Sequence, residues 1–126
     1  MSIQFKPTPK RNPQNIEADP KYYATAVSKG KTDIDVLSKL VANASTVSRA
    51  DTYAVIISLL ETIMNELSEG RMVDLGKLGK FAVSLQSEGA EKPEELTMKQ
   101  IKGARLNFTP GTELKEMLAA LKYAKA

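Results

Sequence analysis

Two stretches of helical hydrophobic periodicity occupy the middle of the chain. In the first, apolar residues recur at three- and four-residue spacing from Ile34 to Ala44, which predicts an amphipathic helix with one apolar stripe. The second stretch runs from Ser48 to about Glu69 and carries apolar residues around most of its circumference. A helix of that kind needs packing partners on several sides. We therefore predict a symmetric homodimer in which a second copy completes the core.

The starts of both helices are marked by a hydroxyl residue with an aspartate three positions later. Thr32 with Asp35, and Ser48 with Asp51, form variants of the capping box. The sequence therefore predicts N-caps at Thr32 and Ser48.

Strand-like patterns precede the helices. Residues 1–31 are predicted to form a strand, a loop and a second strand over 22–27 that ends before Gly30, because β-branched, aromatic and alternating apolar residues are typical of strands. Pro7 and Pro9 lack a backbone N–H and should exclude a central position for the first strand.

Further strands follow the helices. One over 71–75 and another that begins at Phe81 should flank a tight turn bracketed by Gly76 and Gly79, since glycines permit sharp turns and close approaches. Phe81 leads an alternating, half-buried pattern, and a returning strand is predicted over 104–108. Taken alone, the turn is equally consistent with an ordinary β-hairpin.

A last helix is predicted near the C-terminus. Thr109 should cap it, Pro110 should occupy its first position, and its apolar stripe should run from Leu114 to Leu121. Between the strands, residues 87–95 form a short acidic segment.

Composition excludes several classes of function. The 126-residue chain, enough for one domain, has no cysteine and no histidine, which removes thiol nucleophiles, disulfides, common zinc sites and the usual general base near neutral pH. No catalytic or metal-binding spacing is present, so we predict a non-enzyme without cofactor, metal or small-molecule substrate. Without a long apolar run or a signal-peptide core, we expect a cytoplasmic protein with no membrane association.

Charge is segregated along the chain. The net charge is only +3, but residues 1–31 carry six Lys/Arg against two Asp/Glu, and residues 96–126 carry six against two. The helical stretch 32–70 carries two against six, and residues 88–95 carry one against four. A segregated basic face is typical of a polyanion partner, although a mixed solvated surface remains an alternative.

Two motifs about 30 residues apart resemble the HU / integration host factor family of bacterial histone-like DNA-binding proteins. They are L-G-K-L-G-K-F, ending at Phe81, and F-T-P-G, from Phe108 to Gly111. The first has one residue more between its glycines than the family's G-F-G, or else Leu78 to Phe81 carries the pattern with Lys77 in place of the first glycine. The resemblance covers residues 31 to 122, and the chain is most similar to the longer HU-related proteins of Bacteroides-type bacteria, which carry an N-terminal extension.

The resemblance implies an α+β fold: an HU-like intertwined dimer with two N-terminal helices, an antiparallel β-sheet with a shortened arm, and a C-terminal helix. It implies an N-terminal β-strand extension over 1–31 and an HU-like DNA-binding domain over 32–126. The acidic segment 87–95 differs from the family's long basic arm, so we do not assign it to DNA binding.

The implied function is that of a nucleoid-associated architectural protein that binds double-stranded DNA as a homodimer, largely independently of sequence. The alternative is a structural or protein-interaction dimer that has lost DNA bending. The basic contacts would include an Arg11–Gln14 string, R-N-P-Q, which matches the family's arm tip. It precedes the first helix, however, and the alternative is a chance recurrence of the string. The DNA-binding candidates are Lys10, Arg11, Pro13, Lys31, Lys77, Lys80, Lys99, Lys102 and Arg105.

Overall fold

The computed structural model of the protein describes residues 2–126 and contains three helices and two small sheets. The chain divides into two compact units, one formed by residues up to Asp33 together with Met117–Ala126, the other by Ile34–Glu116. The elements are β1 (Ile3–Lys10), β2 (Lys21–Val27), α1 (Ile34–Asn43), α2 (Arg49–Ser68), β3 (Val73–Asp74), β4 (Gly79–Ser87), β5 (Ile101–Pro110), α3 (Thr112–Ala119) and β6 (Tyr123–Lys125), with short 3₁₀ turns at Pro93–Glu95 and Met98–Gln100.

The first unit contains a three-stranded sheet in the order β2-β1-β6. β1 and β2 form the antiparallel hairpin predicted from the sequence, with Gln4 opposite Val27 and Lys10 opposite Lys21. β6 was not predicted, because the last apolar stripe was expected to stay helical to Leu121. Instead α3 ends at Ala119, and the chain continues as a short strand parallel to β1.

The expectation that the prolines exclude β1 from a central position is wrong, because β1 lies between β2 and β6 and its residues Ile3 to Phe5 pair with β6. The Ile3 N–H donates to the Lys122 carbonyl at 2.8 Å, and the Phe5 carbonyl accepts from the Ala126 N–H at 2.9 Å. Backbone groups alternate sides along a strand, so Pro7 and Pro9 share this orientation. Pro7 and Pro9 therefore lack their N–H groups on the side of β1 that faces β6, past the residues that β6 pairs. No backbone hydrogen bond to β2 is lost.

The second unit begins with the two helices of the sequence pattern. The Ser48 hydroxyl oxygen accepts from the Asp51 N–H at 3.2 Å, which confirms the predicted cap of α2. The predicted cap of α1 is one residue off. α1 begins at Ile34, so Asp33 and not Thr32 directly precedes its first helical residue.

The second sheet has the order β3-β4-β5. β3 is shorter than the predicted 71–75, and β4 begins two residues earlier than the predicted Phe81. β5 is longer than predicted and includes Pro110, which pairs with Gly79 at the end of an edge strand, where a proline is tolerated. Pro110 is therefore not the first residue of α3. That helix starts at Thr112, with the Gly111 carbonyl accepting its first helical bond from the Lys115 N–H at 2.9 Å.

Residues 2–126 of a single chain do not enclose a hydrophobic core. Among residues 2–126, only Ser38, Thr52 and Gly79 are buried, and no large apolar side chain is. Apolar residues that the sequence assigns to the core remain exposed, including Leu40 at 56% and Met64 at 61%. Most of the apolar faces of α1 and α2 are therefore uncovered.

Candidate nucleic-acid interface

The register of β4 and β5 separates the second sheet into a polar face and an apolar face. On one face lie Lys80, Ala82, Ser84 and Gln86, opposite Thr109, Asn107, Arg105 and Gly103. On the other face lie Phe81, Val83 and Leu85, opposite Phe108, Leu106 and Ala104. The sheet therefore presents one side suited to water or polyanions and one side suited to a hydrophobic partner.

The apolar face is only partly covered within one chain. Phe81 is half-buried, and its ring lies 4.9 Å from that of Phe108, centre to centre. Leu85 is 64% exposed, so the predicted half-buried alternation is not complete in a single copy.

On the polar face, Lys80 and Arg105 are the two cationic side chains. The Arg105 guanidinium contacts the side-chain amide of Gln86, whose oxygen accepts its hydrogen bonds. Within the described residues neither cation forms an ion pair. Asp74 of β3 lies opposite Lys80 on the same face without forming an ion pair with it, so the charge of Arg105 and part of that of Lys80 are available to an external anion.

The glycine turn and the junction before α3 lie against each other. The Gly111 N–H donates to the Leu78 carbonyl oxygen at 3.0 Å, and the Leu75 N–H donates to that of Gly79 at 2.8 Å. Gly79 has φ +142°, and a Cβ there would collide with the backbone of Thr109 and Gly111. A glycine is therefore required where the turn meets the end of β5.

Beside this contact lies a concave surface with a volume of about 320 Å³, and Lys80 and Lys115 are among the residues that line it. The sequence reasoning did not single out Lys115, because a lysine between apolar helix positions is typical of any solvated helix face. The sequence feature that could have identified Lys115 as a contact was its position four residues after Gly111, one turn into α3.

Two of the predicted DNA contacts have acidic neighbours. The Lys77 ammonium lies 3.7 Å from the Glu113 carboxylate, and the Lys102 ammonium lies 3.1 Å from that of Glu88. Both pairs are exposed, so each neutralises its lysine only partly. Lys99 lies in the 3₁₀ turn Met98–Gln100 before β5.

The remaining candidates belong to the other unit. Lys10 ends β1, Arg11 and Pro13 lie in the β1–β2 loop, and Lys31 follows β2. The structure thus groups Lys80 with Arg105 on one sheet face and assigns these four residues to a separate compact unit.

Neither a metal site nor a membrane span is present in the part of the chain that the structure describes. Over residues 2–126, acidic side chains do not cluster in groups able to hold a metal ion. None of the helices in the same range is both long and apolar enough to cross a bilayer.

The two-helix, small-sheet architecture is that of HU-type folds. It is similar to the HU of Anabaena in a cocrystal with DNA, with 22% identity, a TM-score of 0.57, and coverage of 71% of this chain and 99% of that one. The family model described as "HU domain fused to wHTH, Ig, or Glycine-rich motif" matches residues 1–125. The chain therefore belongs to this family, HU-HIG, and the resemblance inferred from its motifs is confirmed.

A longer structure covers the N-terminal extension as well. It is the crystal structure of a "Putative bacterial DNA binding protein" from Bacteroides vulgatus ATCC 8482, with 15% identity and a TM-score of 0.68. The match covers 98% of this chain but 48% of that one, so this chain spans about half the length of that protein. No curated protein sequence matches the chain.

Proposed function

We propose that this protein is a histone-like architectural protein that binds duplex DNA as a homodimer, largely independently of base sequence, in the bacterial nucleoid. The observation that carries the proposal is the partition of the β4–β5 sheet, with Lys80 and Arg105 on a polar face free of ion pairs and the aromatic and aliphatic residues on the opposite face. Membership of the HU-HIG family and the fold shared with Anabaena HU support it.

The polar face is suited to phosphates more than to base edges. Its cations are accompanied by small hydroxyl and amide side chains, Ser84, Asn107 and Thr109, which can donate hydrogen bonds to phosphate oxygens. Contacts to phosphate and sugar position a protein on DNA but carry no base information. Lys77, Lys99, Lys102 and Lys115 would extend this surface at its ends.

The uncovered apolar surface supports the homodimer. The exposed sides of α1 and α2, and the apolar face that carries Val83, Leu85 and Leu106, would pack against the same elements of a second copy. An isologous interface of this kind, with the same elements of both copies in contact, is the commonest arrangement of soluble oligomers.

We assign the HU-like DNA-binding domain to residues 32–126 and a β extension to residues 1–31.

A second candidate function is favoured by the acidic neighbours of two lysines. Glu113 beside Lys77 and Glu88 beside Lys102 lower the positive potential at the ends of the sheet, and the acidic segment 88–95 replaces a basic arm. In this alternative the same dimer serves as a structural or protein-interaction module that does not bend DNA.

Fluorescence anisotropy with two duplexes of unrelated sequence distinguishes the two functions. The DNA-binding proposal expects similar affinities for both duplexes, and a loss for both when Lys80→Ala is combined with Arg105→Ala. A dimer that binds neither duplex at low salt would exclude the DNA-binding proposal and leave the protein-interaction alternative.

A further inference from the structure

The β1–β2 hairpin of the N-terminal unit also has a polar, basic face. Its register places Lys6, Lys10, Lys21 and Tyr23 on one side of the strands, since alternate residues of paired strands share a face. All four side chains are exposed. The apolar residues Ile3, Phe5, Ala24 and Ala26 lie on the opposite side.

Two of the cations on this face lie close enough to repel each other. Lys10 and Lys21 are directly opposite each other across the two strands, and like charges in that position destabilise a strand pair. In the described part of the chain, no carboxylate lies within ion-pair distance of Lys6, Lys10 or Lys21. The only recorded partner of the Lys10 ammonium in that part is the Tyr23 ring, 5.6 Å from its centre. An external anion would remove the repulsion.

The loop after β1 extends the same basic surface. Arg11 donates from its guanidinium to the Ile16 carbonyl at 3.2 Å, which holds its side chain against the loop. A concave region of about 460 Å³ opens here, lined by Lys10, Arg11, Lys21 and Tyr23, with Asp19 as its one carboxylate. Three cationic side chains and a single carboxylate therefore line this region.

The N-terminal unit as a whole carries an excess of positive charge. Residues 1–33 and 117–126 carry eight Lys/Arg against three Asp/Glu, whereas residues 34–116 carry ten against twelve. The excess positive charge of the chain thus belongs to the unit that lies outside the HU-like sheet. Such a field attracts polyanions and raises their association rate.

We propose that the face formed by Lys6, Lys10, Lys21 and Tyr23, continued by Arg11, is a second phosphate-binding surface for duplex DNA, separate from the β4–β5 face. The proposal rests on the DNA-binding function, because it assigns the same ligand to a second place on the chain. From Lys6 to Lys10 the strand extends about 13 Å, at roughly 3.3 Å per residue. That span is too long for one phosphate but matches several successive phosphates of a duplex, which follow at about 3.4 Å of axis per strand.

The test measures the salt dependence of binding by the full chain to a 30-base-pair duplex of arbitrary sequence. The variant is Lys10→Ala with Lys21→Ala. The matched control is Lys29→Ala with Lys125→Ala, which removes the same charge from the same unit, because Lys29 follows β2 and Lys125 pairs with Phe5 on the opposite face. Circular dichroism confirms that all variants remain folded.

If both lysines contact phosphates, the variant lowers the slope of log K against log salt by about 1.8 per bound chain. Between 50 and 200 mM salt the wild type should then lose about tenfold more affinity than the variant does. The control should keep the wild-type slope. A variant slope equal to that of the control would overturn the proposal.

A charge reversal gives a second, independent readout. Lys21→Glu places an opposite charge beside Lys10, so it should preserve or raise thermal stability while weakening DNA binding more than Lys29→Glu does. Equal binding losses for the two reversals would contradict the proposal. If the wild type binds no duplex, the DNA-binding function itself fails. If the wild type binds but Lys10 and Lys21 behave as the controls do, only the second surface fails.

Discussion

The backbone N–H of Gly111 donates a hydrogen bond of 3.0 Å to the carbonyl oxygen of Leu78. This bond joins the glycine turn between β3 and β4 to the junction between β5 and α3. The two motifs that identified the family in the sequence therefore form one packed contact. The same contact places Lys80 and Lys115 along one concave surface.

The first prediction concerns the tightness of that contact. A Cβ on Gly111 would lie 2.6 Å from the carbonyl oxygens of Gly76 and Lys77, which are backbone atoms and cannot rotate away. Gly111→Ala should therefore lower the free energy of unfolding by about 1–3 kcal/mol, as overpacking typically does. Gly89→Ala is the control, because a Cβ there meets nothing within 4 Å. Equal midpoints of urea unfolding for the two variants would contradict this account.

Local patterns of the sequence predicted the helices and the main strands well. The Ser48 hydroxyl caps α2 as expected, because capping depends on residues three positions apart. The alternation from Phe81 to Leu85 likewise predicted which residues of β4 share a face, because the side-chain period of a strand is local, but Val83 and Leu85 are exposed in a single chain and not half-buried as expected.

Features that depend on distant residues were missed. β6 forms because Tyr123–Lys125 finds an edge of β1 that is more than 100 positions away in the chain, and no local signal reports such pairing. The partners of Lys77 and Lys102 are likewise set by the fold, since Glu113 and Glu88 are remote in sequence from them. Candidate cations could thus be named from the sequence, but their electrostatic surroundings could not.

The second prediction concerns assembly. Leu60 lies on α2 and is 39% exposed in a single chain. In the proposed dimer, the second copy would cover it. Leu60→Asp should abolish folding and not merely dissociate the dimer, because the charge would be buried without a partner. Asn65→Asp, which adds the same charge at an exposed polar position of α2, should remain folded and dimeric. A folded wild-type monomer at micromolar concentration in analytical ultracentrifugation would exclude the obligate dimer.

The third prediction concerns the acidic residues beside the sheet. Glu88→Gln should tighten DNA binding by about 1.5- to 5-fold at low salt, because an exposed ion pair such as Glu88–Lys102 is worth roughly 0.2–1 kcal/mol. Removing the carboxylate frees the lysine and also removes repulsion of phosphates. Deletion of Glu91 to Glu95 should likewise leave affinity unchanged or raise it.

Glu61→Gln on α2 is the control for Glu88→Gln and removes the same charge away from the sheet. Anisotropy titrations at 50 mM salt measure both. A clear loss of affinity in the Glu91–Glu95 deletion, with the fold intact, would mean that the acidic segment contributes to binding.

The fourth prediction concerns the polar face of the β4–β5 sheet. If Lys80 and Arg105 neutralise phosphates, each contact releases condensed counterions and contributes about 0.9 to the slope of log K against log salt. The wild-type dimer should then show a slope of roughly −5 to −9, given three to five usable cations per subunit. Lys80→Ala with Arg105→Ala removes four charges per dimer and should flatten the slope by about 2 to 4.

The loss should be uniform across duplex sequences, because phosphate contacts read no bases. Lys39→Ala with Arg49→Ala provides the matched control, since it removes one lysine and one arginine from the acidic helices. Its slope should equal that of the wild type if position on the polar face is what matters. Should the two double variants give the same slope, net charge alone would govern binding, and the sheet face would have no special role. A loss confined to one duplex sequence would instead indicate base recognition, which phosphate contacts cannot produce.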